Sequence, residues 1–582
     1  MGYVGKSIVI PCEAGGLNCN RNLGAIPIVD MVSGTRNLNL NEGGRRKRGG
    51  TAQINASAID SGARIYGLFD YLKPAGTQYI VFATSGKIYK DATNTIKTAW
   101  TASKHVWFSQ FAGELYACNG SNSPGKWDGA TWTDGLSSED APGASTAALA
   151  GSGAGNVDDG AHSWKITFVN AHGETIGGTG SNQVTVADKT ANGKVSLTSI
   201  SVGLTGTVSR KVYRTIAGDT GNYKLVGTIS DNTTTTFTDN VADASLGADA
   251  PSANTAYKLP TDWATSNPKY MITHGKGASE RNWAFGCPST PYTIYVTPND
   301  DGDDFSDANV ITLSIDTKDG YGLMGGIVYL DQLIMFGKTQ AYIVDDADVD
   351  TSNWGYDQAA WQGGAAHQRL IIPTPNDIIC VDENMEIYSV MAAQQYGDYK
   401  AASIARPSFI HNWIEDNVRK AYIANFHGIY DPVLRAIKIF VVRTGETEID
   451  TALVYFIDRG PKNGWMIHDN KNNPSGYDAS CSALIYVGAG DYQIYTGDYS
   501  GFIWGIEQSA KNDEDLAFDS GFKTTNMDNG DPSLRKDYKR GRIACDPKGT
   551  ETINVKIKVD GTQIDTPSGA WANTTAYAVK DI

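Results

Sequence analysis

From Arg64 onward the chain alternates short apolar runs with tight polar turns. In "IYGLFDYL", "QYIVFATSGKIYKD" and "HVWFSQFAGELYACNG" the runs are four to seven residues long and rich in Ile, Val, Tyr, Phe and Trp. Ser85-Gly86 and Ala112-Gly113 separate them. β-Branched and aromatic residues suit a pleated, half-buried surface, and such dipeptides reverse the chain, so the pattern predicts antiparallel hairpins. The same grammar returns after Thr255, in "RNWAFGCPSTPYTIYVTP", "GGIVYLDQLIMFGKTQAYIVDD", "NDIICVDENMEIYSVM", "LRAIKIFVVRT…ALVYFIDRGPKNGWMIHD" and "ALIYVGAGDYQIYTGDYSGFIWGIEQ". About four short strands recurring every roughly 35–55 residues describe the blades of a β-propeller, here six or seven of them.

Other segments read differently. Residues 1–62 are Asn- and Gly-rich with little alternation and suggest an extended arm. Blade-like sequence occupies 63–140 and again 255–512. Between them, an Ala/Gly/Ser-rich linker (141–160) precedes some ninety residues, 161–252, that supply about six closely spaced strands. That spacing is the signature of an immunoglobulin- or fibronectin-like sandwich, here inserted between blades. Period-two alternation in "RKDYKRGRIACD" and "ETINVKIKVDGTQID" predicts a small β-domain over 515–582. The fold class is therefore all-β. The closing "TAYAVKDI" has the look of mid-strand, which suggests a longer native chain.

Composition narrows the function. The net charge is −15 and charged residues make up 19% of the chain, while glycine is abundant at 64 residues. The first sixty residues are net basic, so the acidity lies in the remainder. A chain of this charge offers few cations to release counterions from phosphates, which argues against sequence-specific DNA binding. Seven scattered cysteines (Cys12, Cys19, Cys118, Cys287, Cys380, Cys481, Cys545) without a CxxC pair fit neither a zinc site nor a secreted disulfide framework. Reduced thiols made in a reducing cytoplasm are the expectation. "MGYVGKSIVIPCEAGG" has too short an apolar stretch before Pro11 for a signal-peptide core, and no window resembles a transmembrane helix.

Candidate chemistry is sparse. "MGYVGKS" ends like a phosphate-binding loop but lacks the preceding glycine and strand, so chance accounts for it. No GxSxG or HExxH is present, and no catalytic residue or cofactor is expected. "NDDGDDFSD" gathers Asp300, Asp301, Asp303, Asp304 and Asp307. "DDADVDTSNWGYD" sets Asp346, Asp348 and Asp350 at alternating positions with Asp357 at the twelfth, the spacing of a calcium loop. Thr351 stands where such a loop needs glycine, and flanking helices are missing, so a solvated acidic loop is the plainer reading. In "GRRKRGG", Arg45, Arg46, Lys47 and Arg48 form a basic run suited to a partner's phosphates or to acidic neighbours, and the acidic chain favours the neighbours. The many aromatics could stack on sugars, but most lie within strand patterns where packing between blades explains them.

Three stretches resemble the structural tail proteins of tailed bacteriophages, most of all the nozzle (tail tubular protein B) family of short-tailed phages. They are "GGLN…MVSGTRNLNLNEGGRRKRGG", "ERNWAFGCPSTPYTIYVTPNDDGDDFSDANVITL" with "GLMGGIVYLDQLIMFGKTQAYIV", and "YRTIAG…YKLVGTISDNTTTTFTDN…DASLGADAP". The resemblance implies a virion component assembled in the bacterial cytoplasm, a homohexameric ring beneath the tail adaptor and portal. Such a ring retains the genome, conducts it at ejection without binding it specifically, and supports fibres or spikes. On that footing Asp300, Asp301, Asp303, Asp304, Asp345 and Asp346 are candidates to line an acidic, non-stick lumen. Arg45–Arg48 are candidate partner contacts. The alternatives are a peripheral glycan-binding adhesin, a capsule-degrading propeller enzyme needing two placed carboxylates, and an accessory tail protein of a long-tailed phage.

Overall fold

The computed structural model describes residues 15–525 except 42–43, 137–140, 171–172, 205–206, 219–220, 253, 257–258, 276–278, 300, 308, 398–401 and 470–475. Beyond these it describes only 540–541, 557–559, 562–564 and 580–581. The apolar runs form antiparallel sheets in chain order. Blade 1 is Gly67–Leu72, Gln78–Ala83, Ile88–Tyr89 and Thr95–Lys97. Blade 2 is Trp107–Phe111, Glu114–Cys118, Gly125–Trp127 and Trp132–Asp134. Blade 3 is Tyr270–His274, Arg281–Phe285, Thr293–Val296 and Ile311–Ser314. Blade 4 is Gly325–Tyr329, Gln332–Phe336, Gln340–Asp345 and Gly355–Gln362. Blade 5 is Ile371–Thr374, Asp377–Val381 and Ile387–Ser389, extended by a bridge from Tyr388 to Ser403. Blade 6 is His427–Asp431, Ala436–Val441, Thr451–Phe456 and Trp465–Asp469.

Blade 7 takes Cys481–Gly488, Asp491–Gly497 and Ile503–Gln508 from its own hairpins and its outermost strand, Gly50–Gln53, from the amino-terminal arm. The first strands of successive blades lie side by side, and that of blade 7 lies against that of blade 1. The described sheets thus close into a seven-bladed ring. Completing the last sheet with a strand from the arm ties the two ends of the ring together.

Alternation explains why these sheets stack. One face of each strand contributes to an apolar layer between neighbouring blades, as where Phe82 and Tyr89 of blade 1 meet Cys481 and Ile503 of blade 7. Trp127, Trp283, Trp361 and Trp465 are essentially buried in such layers, and truncating a ring of this size to alanine typically costs about 3–5 kcal/mol. The expected arm is more than a strap. Leu17, Met31, Leu38 and Leu40 enter the core of blades 5 to 7. The Asn-rich composition supplies hydrogen bonds: Asn37 donates to Asp469 at 3.0 Å and accepts from Arg48 at 3.1 Å.

The carboxylate of Glu507, at the end of blade 7, collects Lys438 Nζ (3.0 Å), Tyr477 Oη (3.0 Å), Asn39 Nδ2 (2.9 Å) and the Gly49 amide (2.8 Å). Burial disfavours its charge, but Lys438 and His468 hold it well below the usual carboxylate range. Every member of this set is enclosed by protein, so it binds the arm to blades 6 and 7.

Two expected boundaries shift. The linker at 141–160 contains the strand Thr146–Leu149, which pairs with Val195–Thr198 and belongs to the sandwich. Small residues mask it, yet a sheet edge needs only backbone pairing. The sandwich's sheets include Thr146–Leu149, Val195–Thr198 and Phe237–Asp239 on one side and Trp164–Val169, Ser209–Thr215 and Tyr223–Ile229 on the other, about a core of Trp164, Ile166, Val195, Leu197 and Val212. The carboxy-terminal boundary lies near Asn526, not 515, because Asp513 and bridges from Met31 to Thr524 and Arg36 to Gly521 fasten this stretch to the arm. The chain between blades 5 and 6 holds two helices, Val390–Tyr396 and Ile410–Asn417. A separate unit comprises Asn526–Ile582 with Met1–Val9. Its described parts are the antiparallel pairs Arg540–Gly541 with Lys580–Asp581 and Ile557–Val559 with Thr562–Ile564.

Candidate functional site

In an up-and-down sheet of four strands the first begins at the end where the fourth finishes. The connections between blades therefore gather at one end of the ring, and the residues just before each innermost strand form the rim of its axis. Here that rim is cationic. Arg64 lies on the connection from blade 7 to blade 1, His105 on that from 1 to 2, and His367 and Arg369 on that from 4 to 5. His427 opens the first strand of blade 6. The sandwich is inserted at this same end, between blades 2 and 3.

Three consecutive residues before blade 6 receive these side chains. Arg369 Nη2 donates to the Ala424 carbonyl at 2.5 Å, and Arg64 Nη2 to Asn425 Oδ1 at 3.3 Å. His367 accepts the Arg369 amide on Nδ1 (3.2 Å), which leaves its proton on Nε2 to donate to the Ile423 carbonyl at 2.9 Å. The Arg64 guanidinium lies 4.8 Å from the Tyr66 ring and 4.6 Å from that of Tyr499, and His105 meets Tyr66 edge-on at 5.6 Å. His427 is 2% exposed and stacks on Phe440 at 4.7 Å.

The electrostatics follow from this crowding. Burial first, then Arg369 and Arg64, pushes His105 down to about 2. Burial and Arg369 push His367 down to about 3, and the same two causes hold His427 well below the ordinary imidazole value. Arg369 itself is lowered to about 10 by burial. Among the described residues no carboxylate pairs with Arg64 or Arg369. Two buried donors remain without partners among the described residues, Arg369 Nη1 and Arg64 Nε, and the neutral imidazole of His427 has only the Asn425 backbone nearby. Arg64, His105, His367 and Arg369 are only partly buried, so solvent reaches the recess they line. Such a recess can hold negative charge.

The residues singled out in the sequence lie elsewhere. Asp303 is buried, bonded to Lys126 of blade 2 at 2.7 Å, and Asp304 is buried and accepts from Ser306 and Asn309. These two are bonded and buried within the chain, which does not fit the expectation that they line a lumen. Asp300 lies outside the described residues; Asp301 accepts from the Asp303 amide. Asp346 pairs with His274 at 3.0 Å, while Asp345 is exposed. Asp348 and Asp350 accept from their own loop, from Asn353 and Ser352, and Asp357 lies in a strand opposite Ile343. Among the described residues no three His, Cys, Asp or Glu side chains gather to hold a metal ion.

Of the basic run, Arg48 is buried, paired with Asp513 at 2.7 Å and lying 3.7 Å from the Phe518 ring. Arg45 donates to the Val29 carbonyl at 2.6 Å, and Lys47 sits over Phe518 at 4.4 Å. Arg46 is exposed. The partner-contact expectation therefore fails for Arg48, whose charge is spent inside the chain. The cysteines Cys19, Cys118, Cys287, Cys380 and Cys481 are free and buried. No helix among the described residues is long and apolar enough to cross a membrane.

The rim residues escaped the sequence reading because each looks isolated in the chain. Aligning the blade repeats would have found them, since Arg64, His105 and Arg369 all stand two or three places before a first strand.

No protein-family model matches the chain, and no curated protein matches it. Similar solved structures include the crystal structures of BBS1N in complex with ARL6DN, soaked with mercury and with lead. Each is 8% identical over 80% of this chain and 99% of that one, with a TM-score of 0.26. At that score the likeness carries no argument, and the propeller rests on the strand order described above.

Proposed function

We propose that the chain is a structural subunit of a bacteriophage tail, a nozzle component that joins a homohexameric ring below the adaptor and portal. In this reading the propeller is the rigid body of the ring, and the sandwich projects from the rim toward fibres, spikes or the host surface. The observation that supports it most is the architecture, a propeller sealed by its own arm and carrying a sandwich between two blades. It accompanies the three stretches of sequence that resemble phage tail proteins. Exposed Val202, Leu204 and Val208 on the sandwich suit an outward contact.

The rim cluster bears on where DNA would run. Side chains from blades 1, 2 and 5 converge on the segment that opens blade 6, and the bond from Arg64 to Asn425 spans from blade 1 to the start of blade 6. We place the path of a duplex outside this cluster. Its duct belongs between subunits, where an acidic wall limits the sequence-independent grip of cations on phosphate. Asp345 remains a candidate for that wall.

The test is location and copy number in purified virions, by immunogold microscopy and by quantitative mass spectrometry against the portal subunit. Axial label below the head at half the portal's copy number supports the nozzle. Peripheral label in multiples of three makes the protein an adhesin, and absence from virions overturns the proposal.

A further inference from the structure

We infer that the rim recess at the propeller axis is a binding site for a doubly charged tetrahedral oxyanion, a phosphate or sulfate group, held between Arg64 and Arg369 with His427 beneath. The inference does not depend on the assignment to a phage tail.

Two guanidiniums within one recess repel each other, and in most proteins a carboxylate between them would offset this. Here the bonds to Asn425 and Ala424 are to neutral oxygens. The uncompensated charge is retained in a recess that solvent reaches, where an anion can supply the missing partner. Each arginine is also preorganised. Arg64 is clamped between the Tyr66 and Tyr499 rings, and Arg369 is fixed by the Ala424 carbonyl, so little side-chain freedom remains to be lost on binding.

The vacant donors choose the ligand. Arg369 Nη1 and Arg64 Nε are buried without partners, and the neutral His427 imidazole, 2% exposed, has only the Asn425 backbone beside it. A planar carboxylate is satisfied by one guanidinium fork. Donors arriving from blades 1, 5 and 6 suit an acceptor whose oxygens point in several directions. Charge-assisted bonds of this kind are short and strong.

The site also sets its own pH dependence. The groups facing it are Arg64, Arg369, His105, His367 and His427, together with the neutral Tyr66, Tyr270, Tyr499 and Cys481; Glu448 faces Tyr499 from outside. With its imidazoles held neutral, the site owes its charge to the two guanidiniums. Sulfate binding should therefore be level between pH 8 and pH 6, while phosphate binding should weaken as the phosphate itself takes up a proton.

The experiment is calorimetric titration of the full chain with inorganic phosphate, inorganic sulfate and glycerol 3-phosphate, against chloride at matched ionic strength, at pH 6 and pH 8. The expected result is binding of both, with sulfate equally tight at pH 6 and pH 8 and phosphate weaker at pH 6. Arg369→Gln and Arg64→Gln should each weaken it about tenfold or more. Arg369→Lys, which keeps the charge but loses the fork, should fall between. Glycerol 3-phosphate binding equal to phosphate would place the natural ligand among phosphomonoesters, and its exclusion would point to the free ion; either supports the site. No heat beyond that of chloride, or binding unchanged in both glutamine variants, overturns it. Circular dichroism of each variant separates lost binding from lost fold.

Discussion

Arg48 shows how a residue's role depends on what the fold places around it. In the sequence it is one of four consecutive cations; in the structure both it and Asp513 are fully enclosed. Breaking a buried pair strands a charge, so Arg48→Ala should destabilise the protein by about 3–5 kcal/mol, and Arg48→Met with Asp513→Leu should recover most of that loss. Urea unfolding of the two variants beside the unaltered chain checks both. A second residue-scale expectation concerns Leu330 and Asp331, which turn blade 4's first hairpin with φ of 49° and 62°. This is the backbone of a two-residue turn that favours Asn-Gly, and Leu330 is 74% exposed. Leu330→Asn with Asp331→Gly should stabilise by about 1 kcal/mol without altering the fold.

At the scale of elements, strands announced themselves where alternation and turn chemistry agreed. All six strands expected within 161–252 are present, from Trp164–Val169 to Phe237–Asp239. Thr146–Leu149 was hidden because alanines at an edge carry no β signature. The helix Val390–Tyr396 did have local punctuation: Ser389 Oγ accepts from the Ala392 amide at 3.0 Å, and Gly397 closes it at φ 74°. It was overlooked inside a chain read as strands throughout. The axial site was illegible for a different reason, since its members run from residue 64 to residue 427 and meet only when the ring closes. The sandwich has its own apolar core and a buried pair of Arg214 with Asp239 at 2.8 Å. Residues 141–256 expressed alone should therefore fold cooperatively, and Asp239→Asn should lower the melting temperature of that fragment. A fragment without a cooperative transition would mean that the sandwich depends on the blades.

For the whole molecule, the buried imidazoles predict how stability follows pH. His105 and His367 titrate at about 2 and about 3 in the folded chain, and His427 and His468 are also lowered, first of all by burial. In the unfolded chain each titrates near 6.5. Between those values the unfolded state binds more protons, so their contribution is complete above about pH 6.5 and declines as pH falls below it. Melting temperatures should be level from pH 8 to 7 and drop from pH 6 to 5. A level profile down to pH 5 would mean that the folded protein accommodates the imidazolium forms.

The borrowed outer strand of blade 7 has a consequence for synthesis. Gly50–Gln53 leaves the ribosome early, but its partner Ile503–Gln508 follows roughly 450 residues later, a delay of about 20–90 s at 5–20 residues per second. Throughout that interval the nascent chain carries an unpaired strand able to recruit a wrong neighbour, another copy on the same message included. The four cations immediately before it, Arg45 to Arg48, are the flanking charges that discourage such pairing. One of them, Arg48, gives up its role as guard when Asp513 arrives, so the arginine that protects the open ring becomes the one that locks it shut.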